Sequence, residues 1–95
     1  MKNVTVNPNK DDDMPTVFRE IKNADLPGEE KLAKAFNWMT RKALDFSEKE
    51  IELARAMKDD EGLIRVQIKY EMTKTAREMF QDCYRAVLGR KAWDE

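Results

Sequence analysis

The chain has 95 residues, 39% of them charged, with 18 Lys and Arg against 19 Asp and Glu for a net charge of −1. That length makes one small domain with a modest core, and the near-neutral balance gives no overall pull toward nucleic acid or an anionic membrane. Histidine is absent and there is a single cysteine, Cys83. These counts remove the commonest general base and metal ligand and any intramolecular disulfide framework.

Residues 1–13, MKNVTVNPNKDDD, are polar and turn-rich, and read as a flexible arm. The Val4-Thr5-Val6 run is too short for a strand stable by itself. Asp11 to Asp13 read as a solvated acidic run or helix-start charge, because consecutive carboxylates rarely converge on one ion. The arm lacks the apolar stretch of a secretory signal. The expectation is synthesis in the cytoplasm and, if the protein is exported, export without a cleaved signal peptide.

The remainder, 14–95, reads as a single helical-hairpin domain. A short helix over about 14–24 starts from Asp13, with Pro15 in its first turn, where a missing N–H costs little. Val17, Phe18 and Ile21 give it an apolar side, and Asp25-Leu26-Pro27-Gly28 ends it. Two turns are not stable alone, so it docks on the longer helices or orders in a complex.

A long helix is predicted over about 27–58. Leu32, Phe36, Met39, Ala43 and Phe46 recur at helical spacing on one face, and Ile51, Leu53, Ala54 and Met57 continue the pattern after a shift. Ser47 and Glu50 match a capping box at the shift. The alternatives are a break, a kink, or one helix with a change of face. The absence of Pro and Gly there favours one helix. Glu48, Glu50, Glu52 and Arg55 read as a solvated face with helical charge pairs.

A tight link over 58–62, with Asp60 as N-cap, leads into a second long helix over about 62–90, ended by Gly89. Two long helices joined this way form an antiparallel hairpin, so the fold class is all-α. On the final helix, Ile64, Ile68, Met72, Ala76, Met79, Cys83 and Val87 fall on one arc. Val66, Tyr70, Thr73, Phe80, Tyr84 and Leu88 fall on a second. Together they cover roughly 240° of the helix, against about 100° for an ordinary surface helix. The expected hairpin core is Leu32, Phe36, Met39 and Ala43 against Ile68, Met72, Met79 and Cys83. The second arc, Val66, Tyr70, Phe80, Tyr84 and Leu88, is then the expected partner or assembly interface.

No catalytic, cofactor-binding or metal-ligating set is found. Phosphate-binding glycine loops, Cys pairs and nucleophile elbows are all missing. Arg65, Lys69, Lys74, Arg77, Arg85 and Arg90 spread around the final helix among acidic residues, which argues against nucleic acid. No apolar run reaches the ~20 residues of a membrane span.

A polar arm, a helix, an acidic turn and a C-terminal helix resemble the small helical-hairpin subunits of type III secretion needles and inner rods. The similarity rests on Val4-Thr5-Val6 with Asn7, Asn9 and Asp11 to Asp13, and on Lys58 to Ile68, where Gln67 and Tyr70 match residues common in that family. The family's turn usually carries a Pro, and none lies between Lys58 and Leu63. The resemblance implies export and assembly into a helical tube, with Lys74, Glu78, Asp82 and Arg85 facing the channel. The expected function is therefore a non-enzymatic assembly subunit that self-associates or packs into a larger protein complex. The alternative, phage-encoded in one version, is a soluble helical adaptor or chaperone, or a homodimeric bundle, that binds a partner helix.

Overall fold

The computed structural model describes residues 13–94 and is an all-α hairpin with one added short helix. The polar arm, Asp13 apart, lies outside the described residues. Helix α1 spans Met14–Asn23, α2 spans Gly28–Ala56 and α3 spans Asp60–Leu88. The two long helices pack against each other, α1 packs on α2, and α1 does not reach α3. The three helices therefore lie side by side, which leaves broad flanks open. No described helix is long and apolar enough to cross a membrane.

Asp13 precedes α1 in an extended conformation, with Pro15 in the first turn, but its side chain makes no capping bond. Val17 and Ile21 are buried with Trp38 of α2, and Phe18 and Ala35 pack around them. Phe18 meets the Trp38 ring edge-on, with centroids 5.9 Å apart. The short helix thus docks, as one of the two sequence alternatives requires. Lys31 Nζ donates to the Lys22 carbonyl at 2.7 Å, placing a cation at the negative end of α1. Glu29 and Glu30 occupy the first turn of α2, where the dipole favours acid.

Helix α2 runs unbroken through Ser47, which is buried. Its link to α3 is tight. Lys58 adopts a left-handed φ of 56°. Its N–H donates to the Arg55 carbonyl at 3.2 Å, and the Asp59 N–H donates to the Ala54 carbonyl at 2.9 Å. These two bonds are the Schellman closure, usually built on Gly. The N-cap of α3 is Asp59, one residue before the expected Asp60. Its carboxylate accepts from the Gly62 N–H at 3.0 Å. A side chain at Gly62 would run into that carboxylate, so capping and the absence of a Cβ go together. Gly89 ends α3 as expected, with φ 71° and its N–H bonded to the Arg85 carbonyl.

Candidate interaction surface

Between the long helices, Phe36 and Phe80 stack at 4.6 Å with their planes 13° apart. Beside them Arg77 of α3 is 4% exposed. It donates to the Asn37 carbonyl at 3.1 Å, Asn37 Oδ1 at 2.9 Å and Thr40 Oγ1 at 2.6 Å. Arg77 also lies 4.8 Å from the Trp93 ring centroid. Trp93 itself stacks on Phe80 and Phe36. Gln81 holds the tail by accepting from the Ala92 N–H at 2.8 Å and donating to the Trp93 carbonyl at 2.9 Å. The stretch after Gly89, read from sequence only as a tail, is therefore part of the packed interior.

At the far end of the hairpin, Lys69 pairs with Glu50 at 3.6 Å and the Tyr70 hydroxyl donates to Glu48 at 3.2 Å. Partial burial, and then the Glu48 carboxylate, raise the Tyr70 pKa above its ordinary value. Two of the glutamates expected to make pairs within their own helix thus reach across to α3. At the near end Arg90 pairs with Glu29 at 3.7 Å and Glu30 at 3.4 Å. The basic residues noted on α3 are thus divided among a buried site, two ion-paired rims and exposed positions.

The arrangement exchanges the two expected arcs of α3. The aromatic arc, proposed from sequence as the assembly interface, faces α2. Val66 and Tyr84 are buried, and Tyr70, Phe80 and Leu88 are half-buried. The arc proposed as core faces outward, with Ile68 55%, Met72 67% and Met79 62% exposed and Cys83 also exposed. On α2, Leu32 is 63% and Met39 44% exposed, and Ala43 is exposed. Phe36 alone of the expected core lies between the helices. The physical reason is the partner each arc finds. The inward side of α2 carries Ala33, Ser47 and Ala54, small enough for close approach, beside Leu44, and Asn37 and Thr40 supply the acceptors for Arg77. The aliphatic and Met arc offers no acceptor or donor to match those groups.

Five of the exposed residues form one surface. Counted at about 100° per residue, Met39, Phe46 and Leu53 lie about a third of a turn from the inward line of α2. Met72 and Met79 lie about a third of a turn from the inward line of α3, rotated in the same sense, and Ile68 lies about half a turn from it. In an antiparallel pair equal rotations carry side chains to the same flank. The Glu50–Lys69 ion pair spans that flank. Beside that flank, the outer face of α3 carries an open groove of about 560 Å³, lined by Ile64, Ile68, Met72, Ala76 and Met79 and edged by Glu71. A second apolar groove, between α1 and α2, is lined by Phe18, Ile21, Leu32 and Ala35.

Elsewhere, a cleft of about 420 Å³ lies between the start of α2 and the tail, lined by Glu30, Lys34, Asn37, Trp38, Arg90 and Trp93. Among the described residues no three His, Cys, Asp or Glu side chains group as metal ligands. No protein-family model, curated protein or solved structure matches the chain.

Proposed function

We propose that this protein is a non-enzymatic assembly subunit that self-associates by burying the exposed flank of α2 and α3. The observation that carries the reading is the run of large exposed apolar side chains, Met39, Phe46 and Leu53 with Met72 and Met79, on one side of the hairpin. Single exposed apolar residues are ordinary on protein surfaces. A contiguous patch edged by charge marks an association site. Needle and rod subunits are one form of such assembly, and a closed bundle is another.

The methionines favour a second reading. Met39, Met57, Met72 and Met79 are exposed, and Met-rich surfaces repack around varied helices. Under that reading the chain is an adaptor that takes up a partner helix.

Light scattering over a concentration series tests the proposal. A self-assembling subunit gains mass as concentration rises, without limit for a polymer and to a plateau for a closed bundle. A mass of one chain at every concentration contradicts self-association and leaves the adaptor.

A further inference from the structure

The cleft between the start of α2 and the tail is walled by both tryptophans of the chain, Trp38 and Trp93. Both are more than nine-tenths buried, with 5% and 9% of their surface exposed. Each indole N–H is closed to water and meets no acceptor among the described residues. A buried donor left unpaired carries its full desolvation penalty. Folded chains hold few such groups, and here two of them belong to the walls of one cleft.

The charges around the cleft decide what kind of guest fits. Its three aromatic rings already carry cations of the chain: Lys42 lies 5.9 Å from Trp38, Arg77 4.8 Å from Trp93 and Arg90 5.6 Å from Tyr84. A cationic guest would compete with these groups for the rings and be repelled by them. The lining holds Lys34, Arg90 and Lys91 against Glu30 and Asp94. Arg90 holds Glu30 at 3.4 Å, which leaves Lys34 and Lys91 against Asp94 alone. An anion is therefore favoured. The volume of about 420 Å³ is that of a small-molecule site, and Leu26, Ala92 and the indoles give apolar wall to more than a bare ion.

We propose that this cleft binds a small organic carboxylate. Its oxygens accept from the Trp38 and Trp93 N–H groups, and Lys34 and Lys91 balance its charge. Its apolar part lies against Leu26 and the rings. A carboxylate suits two donors because its two oxygens offer about four acceptor sites. Both nitrogens are closed to water, so the guest enters as the tail shifts outward. The tail is the short wall of the cleft, leaving α3 at Gly89 with its left-handed φ of 71°. The cleft opens on the side of α2 that carries Lys34, away from Met39 and Phe46. Binding there does not rest on self-association.

Because the chain has two tryptophans, both indole signals in a proton–nitrogen correlation spectrum report on this cleft. Benzoate, phenylacetate and hexanoate are titrated into the full chain at fixed pH and ionic strength, with benzamide and inorganic phosphate as comparisons. At least one carboxylate is expected to move both indole protons downfield along a saturating curve, as protons move on gaining an acceptor. Benzamide, which lacks the charge, and phosphate, which lacks the apolar part, bind more weakly. Lys34→Met with Lys91→Met binds the same carboxylate about tenfold more weakly, with helicity unchanged by circular dichroism. Lys91→Met alone, on the exposed end of the tail, gives the same direction if the double variant does not fold. The proposal is overturned if no carboxylate moves both signals to saturation. It is also overturned if benzamide or phosphate binds as tightly as the carboxylates, or if the lysine variants bind as the parent does.

Discussion

Arg77 of α3 and Asn37 of α2 are joined by two hydrogen bonds, one to the Asn37 carbonyl at 3.1 Å and one to its side-chain oxygen at 2.9 Å. The pair fixes how α3 is rotated against α2. A buried guanidinium must keep its acceptors, so the arc that carries Arg77 faces inward and the Met72–Met79 arc faces out. Arg77→Lys keeps the charge and loses the fork. The expected loss is about 1.5–3 kcal/mol of unfolding free energy, read by urea titration. An unchanged midpoint would show that the fork does not set the rotation.

The tail is a second determinant. Trp93 is buried on the Phe36–Phe80 stack and clamped by Gln81. Trp93→Ala is expected to cost about 3 kcal/mol, the lower end for truncating a buried aromatic. Gln81→Ala removes two hydrogen bonds and is expected to cost about 1–3 kcal/mol. Thermal melts of the two variants, and of the pair together, measure whether clamp and ring act as one unit.

The link between the long helices holds a lysine where glycine fits better. Lys58→Gly relieves a left-handed residue with a side chain and is expected to stabilise the hairpin by about 1 kcal/mol. A rise in the urea midpoint checks this. A fall would mean that Lys58 makes a contribution beyond its backbone.

Tyr70 and Glu48 give the hairpin an alkaline limit. The Tyr70 pKa is raised in the folded chain above its ordinary value near 10.0. The neutral hydroxyl is the form that donates to Glu48. Its contribution is complete below the unfolded value and is lost as pH rises through the folded one. Stability measured from pH 8 upward should fall less steeply in Tyr70→Phe than in the parent. Identical slopes would remove Tyr70 from the account.

The helices were legible in the sequence because Asp25 to Gly28, Lys58 to Gly62 and Gly89 are local signals that little else overrides. Spacing marked Val17, Phe18 and Ile21 as the apolar side of α1 and left docking as one of two alternatives, and the structure has α1 docked. The rotation of the hairpin was not legible. Apolar spacing selected Leu32, Met39, Met72 and Met79 as core because they are the most apolar stripe. The chain instead places small and polar residues of α2 beside Arg77. That choice depends on a hydrogen-bond match between residues forty positions apart. Trp93 was missed for a similar reason: its partners lie on two helices, and no local pattern announces them. The one available signal was Arg77 itself, a charge set among the aromatic positions of its helix.

The central claim is that the outward flank of α2 and α3 is covered by association. Peroxide oxidation of individual methionines, followed by mass spectrometry at low and high protein concentration, reads that flank directly. The account predicts that Met39, Met72 and Met79 oxidise quickly in dilute protein and several times more slowly in concentrated protein, while Met14 on α1 oxidises at one rate throughout. Equal rates for Met39, Met72 and Met79 at both concentrations would contradict it.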